Sequence, residues 1–129
     1  MTVDRREILM QTYRGFNERD IESATEFLAP DVDWPNVGTG GREHGRSAVR
    51  RYWENQWREI DPHVEPLVIK IEGDRAHVRV HQLICALNGT VLSDKKIEHV
   101  FTFDGAFIAR MDAIDADPAP DDDEDDDDE

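Results

Sequence analysis

Cys85 is the only cysteine, so no intrachain disulfide can form and nothing points to secretion. Long apolar runs are also missing, and Met1–Glu7 lacks the apolar stretch of a signal peptide. A soluble, unprocessed, cytoplasmic chain with no membrane contact is therefore expected. Bases are scarce at one end. Of 30 acids, eleven fall in residues 115–129, where there is no base. The remaining 19 acids face 15 bases, so the body carries about −4 of the formal −15. No basic stripe exists in that body, which argues against a nucleic-acid partner. His77 and His81 alternate on one strand face, but no spacing fixes a third ligand, so no metal is expected. Gly38, Gly40 and Gly41 follow a strand and precede a helix, as phosphate loops do. The loop lacks a Lys-Ser/Thr ending and the dinucleotide glycine spacing, so it reads as a mobile pocket rim and no cofactor is expected. Glu43 and His44 on it are either within reach of a ligand or solvated.

What is present fits one domain of 129 residues. Asp4 can cap a first helix, with Glu7 placed as in a capping box. Leu9, Tyr13 and Phe16 then share one face, and Gly15 weakens the segment. Asp20 caps a second helix with Ile21, Ala24 and Leu28 on its apolar side, stopped by Ala29-Pro30. A short strand spans Val32 to Trp34. Trp34 is either a pocket wall or a core filler. A third helix begins near Ser47, with Val49, Trp53, Trp57 and Ile60 as its packing stripe, and ends at Asp61-Pro62.

From His63 the period becomes two. Leu67, Ile69 and Ile71 alternate with polar neighbours, Gly73-Asp74 turns the chain, and Ala76, Val78 and Val80 alternate with His77, Arg79 and His81. Beyond His81 both faces are apolar, through Leu83, Ile84, Cys85 and Leu87. Asn88-Gly89 and Asp104-Gly105 mark hairpins, and the last strands run from about Lys95 to Phe103 and from Phe107 to Ile114. The class is α+β: a curved antiparallel sheet with three N-terminal helices on one face. Residues 1–115 form the domain. Residues 116–129 end in nine consecutive acids that should be disordered, serving as a solubilising tail, as a lure for cations or a basic partner, or as an adaptation to high salt.

Several words in this order resemble a family: Phe16-Asn17-Glu18-Arg19-Asp20-Ile21-Glu22, Phe27-Leu28-Ala29-Pro30-Asp31-Val32-Asp33-Trp34, Gly45-Arg46-Ser47-Ala48-Val49-Arg50-Arg51-Tyr52-Trp53 and Phe101-Thr102-Phe103-Asp104-Gly105. The chain resembles a nuclear transport factor 2-like domain of the SnoaL-like or ketosteroid-isomerase-like kind. The resemblance implies a cone whose curved sheet and three helices enclose one apolar pocket, commonly in a homodimer. It also implies cofactor-free proton transfer on an apolar carbonyl-bearing small molecule, by cyclisation, isomerisation or hydrolysis. A non-catalytic binding or accessory module of the same fold is the alternative.

In the isomerase branch the base is an Asp just before a proline on the first strand. Trp34 occupies that position here, and Asp33 is one residue off, which points it to the opposite face. Tyr13 and His99 lie near that branch's two oxyanion donors. In the cyclase branch a His and an acid/base Asp sit on the last two strands, and His99 and Asp112 resemble that pair. They are the expected catalytic residues, with Tyr13, Phe16, Trp34, Trp53, His81, Leu83, Cys85 and Phe101 around the ligand. A carboxylate in an apolar cavity gains basicity by desolvation, and an imidazole can hold it or donate to an enolate oxygen. Register decides the matter. A two-residue Asp104-Gly105 turn puts Asp112 on the face of His99, whereas a three-residue loop or a bulge puts Met111 there.

Overall fold

A computed structural model of the chain describes residues 4–36 and 38–114. The expected acidic tail, residues 116–129, lies outside them. The first helix, α1 (Arg5–Glu18), is capped by Asp4, whose carboxylate accepts from the Arg6 backbone N–H at 2.9 Å. It buries Ile8, Leu9, Tyr13 and Phe16 on one face. Its end is a left-handed turn at Arg19.

The second helix, α2 (Ile21–Thr25), starts at the Asp20 cap and is shorter than its apolar pattern suggested. Leu28 already belongs to the strand β1 (Leu28–Asn36), and Pro30 lies in that strand. The glycine loop differs from expectation too. It carries a strand of its own, β2 (Gly41–His44), paired antiparallel with β1 from Asn36↔Gly41 to Asp33↔His44. Asn36 anchors this hairpin by accepting from the backbone N–H of Gly38 and Thr39.

The third helix, α3 (Arg46–Glu59), buries Val49 and Trp53. It is followed without a loop by β3 (Ile60–Glu72), which contains Pro62 and Pro66. Proline is tolerated there because β3 is an edge strand that pairs only with its successor, and the ladder slips between Pro66 and Val68. That successor is β4 (Arg75–Ala86), followed by β5 (Val91–Asp104) and β6 (Phe107–Ile114). The sheet order is β2-β1-β6-β5-β4-β3. All neighbours are antiparallel except β1 and β6, which run parallel. The six strands form a curved, unclosed sheet with the three helices on its concave face, an α+β cone. Among the described residues, no helix is long and apolar enough to cross a membrane.

The placement of α1 depends on Gly15. A Cβ there would lie 2.6 Å from the Ala24 backbone nitrogen and 2.9 Å from its Cα. The glycine that weakens the helix locally is what lets α2 pack against it. Asn17 continues the attachment. Its side-chain amide donates to the Val64 carbonyl at 2.8 Å and accepts from the Val64 N–H at 2.9 Å, standing in for a strand on the edge of β3. Gly15→Ala should therefore destabilise the protein by about 1–3 kcal/mol, although alanine is the better helix former. Urea unfolding measures this, and an unchanged or higher midpoint would refute the close-contact account.

Candidate functional site

The concave face of the sheet and the inner sides of α1 and α3 enclose a cavity of about 720 Å³, mouth included. Seventeen residues line it, and none carries a charge: Thr12, Tyr13, Phe16, Trp34, Pro35, Tyr52, Trp53, Gln56, Pro62, Val64, Gln82, Ile84, Ile97, His99, Phe101, Met111 and Ala113. The aromatic wall is held by edge-to-face contacts. Trp34 meets Trp53 at 5.2 Å, Phe16 meets Trp53 at 5.3 Å, and Tyr13 meets Phe101 at 6.0 Å between ring centroids.

One polar contact is buried in this wall. Tyr13 Oη lies 2.7 Å from His99 Nδ1, and their rings are nearly parallel, 5.9 Å apart. The two residues are 6% exposed each and 86 positions apart in sequence. Burial pushes the Tyr13 phenol well above its usual range and lowers the His99 imidazole to a pKa of about 4. Both groups are therefore neutral at pH 7. Among the described residues, His99 Nε2 has no hydrogen-bond partner. A neutral imidazole has one N–H and a phenol one O–H. Their mutual bond uses one of these protons, so the other remains for a ligand in either tautomer.

The expected site residues divide by sheet face. Tyr13, Phe16, Trp34, Trp53, His99 and Phe101 line the cavity together. Asp112 does not. The ladder pairs Asp104↔Phe107 and Phe103↔Ile108, then slips, so that Thr102 meets Arg110, Phe101 meets Met111 and His99 meets Ala113. That irregularity inserts one residue after the turn, turns Asp112 to the convex face and brings Met111 and Ala113 to the cavity. On the outside Asp112 joins Arg110 Nε at 2.9 Å and Arg42 Nη1 at 3.2 Å. The Arg110 guanidinium holds its carboxyl below the usual range, the opposite of what a base near neutral pH needs.

His81, Leu83 and Cys85 are corrected in the same way. The inward set Ala76, Val78 and Val80 continues without a break to Gln82 and Ile84, which line the cavity. The odd-numbered residues therefore face outward, and His81 Nε2 sits 2.6 Å from Asp94 there. Asp33, one residue from the isomerase position, is outside as well, paired with Arg42 and with Arg110 at 2.7 Å. Arg42 holds its carboxyl low. Among the described residues, no three His, Cys, Asp or Glu side chains are placed to share a metal ion.

Strand parity would have found Gln82 and Ile84, since two-residue alternation places them with Val80. Helical spacing would have found Gln56, one turn beyond Tyr52 on α3. Met111 and Ala113 carry no local signal, because the ladder slip is a property of the pairing.

Residues 10–113 match the model of the SnoaL-like domain. No curated protein matches the sequence. Among solved structures, the chain is similar to TerC, crystallised with polyporic acid. The identity is 25%, the TM-score 0.76, and the match covers 85% of this chain and 89% of that one. It is also similar to a candidate polyketide cyclase of Sinorhizobium meliloti, at 24% identity and TM-score 0.72 over 83% and 93% of the two chains. A third similar structure is an epoxide hydrolase of the LEH-like type from M. tuberculosis, at 14% identity and TM-score 0.73 over 83% and 78%. For the last two the likeness is one of fold.

Burial of His99 also has a consequence for stability. Its pKa is about 4 in the folded state, against 6.5 for an unburied imidazole. The unfolded chain therefore gains a proton first as pH falls. The stabilisation is fully present above pH 6.5 and is lost as pH falls toward 4, by up to about 3 kcal/mol. His99→Gln lacks this component, so its stability should fall less over the same range. Urea unfolding between about pH 7 and pH 4 compares the two, and parallel curves would contradict the burial account.

Proposed function

The chain belongs to the SnoaL-like domain family, and on that premise we propose that it is a cofactor-free enzyme moving a proton on an uncharged, carbonyl-bearing small molecule. Tyr13 and His99 are the reacting pair. The observation that carries this reading is the 2.7 Å bond between two buried, neutral groups on the wall of an otherwise apolar cavity.

The step follows from the proton count. With His99 protonated on Nδ1, that N–H donates to the Tyr13 oxygen, the phenol O–H donates to the substrate carbonyl oxygen, and Nε2 is bare. Tyr13 gives its proton to the carbonyl oxygen and receives the Nδ1 proton. Nε2 takes the proton from the carbon next to the carbonyl. The ketone becomes an enol, and the imidazole is left protonated on Nε2 instead of Nδ1. No ion forms, which suits a site that disfavours charge on either residue. Return of the proton to another carbon gives isomerisation, and attack of the enol on a second carbonyl gives cyclisation.

A second reading, a non-catalytic module that holds a small molecule in the same cavity, draws on a different observation. No carboxylate lines the space, and an imidazole held near 4 is a weak base. Proton exchange in heavy water separates the two. With 2-tetralone as probe, wild-type protein should speed loss of the α-proton signal. Tyr13→Phe and His99→Gln should each slow it by roughly 100-fold or more. Asp112→Asn should leave it unchanged. The rate should hold through neutral pH and fall as pH drops through about 4, where His99 gains a second ring proton. Exchange that survives both dyad substitutions would overturn the assignment. Binding without exchange, seen as quenching of the Trp34 and Trp53 emission, would establish the binding module.

A further inference from the structure

The cavity has a second polar place, at a distance from the dyad. Gln82 lines it from β4 and Gln56 from the last turn of α3. The Gln56 amide reaches Tyr52 Oη only at 3.5 Å, and the Gln82 amide has no hydrogen-bond partner among the described residues. The connectivity brings the two glutamines to one end. Helix α3 runs directly into Ile60 and Pro62, which pair with Ala86 and Ile84, and Gln82 pairs with Val64 just beyond. His99 pairs with Val78, four residues back along β4 from Gln82, so the two polar places are about 13 Å apart along the strand. The rung between them is Val80–Ile97, wholly apolar. Lys95, opposite Gln82 in the ladder, is exposed and does not line the cavity.

A half-buried amide with no partner, facing an apolar space, gains its hydrogen bonds from whatever fills that space. We propose that Gln82, assisted by Gln56, determines specificity at the far end of the cavity, and that the ligand is an uncharged, elongated ring system with an oxygen function at each end. One oxygen, a carbonyl, meets Tyr13 and His99. The other, a hydroxyl or second carbonyl, meets the glutamine amides. The aromatic wall of Trp34, Trp53 and Phe16 lies against flat rings between them. No charged side chain stands on the lining, so the ligand groups that touch it are expected to be neutral, while Lys95, on the same face as Gln82, lies beyond it. This inference rests on the reading of the cavity as a site for carbonyl compounds, and its test needs no turnover.

The probes are anthraquinone and its 2-hydroxy derivative, followed by quenching of tryptophan emission in the full chain. In the wild type the hydroxyl should tighten binding about tenfold, the worth of one well-made hydrogen bond. In Gln82→Leu the hydroxyl preference should vanish while anthraquinone itself binds as before. Gln82→Met, closer in shape, carries the same comparison if the leucine variant does not fold. A hydroxyl preference that survives both substitutions, or is absent from the wild type, overturns the inference and leaves the carbonyl site standing. If neither compound binds, both the inference and the carbonyl-site reading fall.

Discussion

The bond between Tyr13 and His99 sets the conditions under which the rest of the cone must be built. Either group alone in an apolar wall would leave a polar atom unsatisfied, at a cost of about 1–3 kcal/mol. Together they satisfy one another, but only if a helix at one end of the chain lies accurately over the fifth strand of the sheet. Much of the surrounding structure fixes that position. Gly15 allows α2 to close against α1. Asn17 ties the end of α1 to the backbone of β3. Arg5, at its start, donates to the Gly73 and Gly105 carbonyls in two hairpin turns, and its guanidinium lies 4.9 Å over the Phe103 ring. The helix is thus held at both ends by groups that do not line the cavity.

Charge is kept off the cavity lining, which carries aromatic and aliphatic residues with a few neutral polar groups. Glu43 and Lys95 share the sheet faces of Trp34 and Gln82 but stand outside that lining. The convex side of β2, β1 and β6 carries Arg42, Asp33, Arg110 and Asp112 in one connected network. That network spans the parallel β1–β6 pair, whose own register is interrupted between Leu28 and Asp33. Arg42 also donates to the backbone carbonyls of Asp33 and Met111, so it fastens β1 and β6 where the ladder is weakest. The ion pairs are partly solvated and individually weak. Their structural effect is to hold the Asp33 and Asp112 carboxylates outside the cavity.

Much of this was legible in the sequence, and what was missed has identifiable causes. Apolar periodicity and turn residues located the helices and the meander, and the order of local words pointed to the cone. Tyr13, Phe16, Trp34, Trp53, His99 and Phe101 were readable because regular helices and strands fix which side each residue faces. Asp112 was misplaced because one slip in the β5–β6 ladder reverses the facing of every later residue, and nothing in Arg110-Met111-Asp112 announces it. His81, Leu83 and Cys85 were misplaced because chemically interesting side chains were set above the parity that Val78 and Val80 had already established. The strand β2 went unseen because glycine-rich words read as loops. The hairpin forms because Asn36 turns the backbone with its own side chain.

The consequence of Asp112 facing outward is chemical as well as geometric. A carboxylate in an apolar cavity acts by alternating between charged and neutral forms, and the surroundings must accommodate both. The Tyr13–His99 pair avoids that alternation. It can exchange a donated proton for an accepted one by changing tautomer, with no net charge on the protein at any stage. A wall without counter-ions is then an advantage, because no ion in the protein has to be stabilised. On the lining itself a charged ligand group would meet no counter-ion. The proposed reaction and the proposed selectivity therefore rest on one constraint, that every group lining the cavity is neutral.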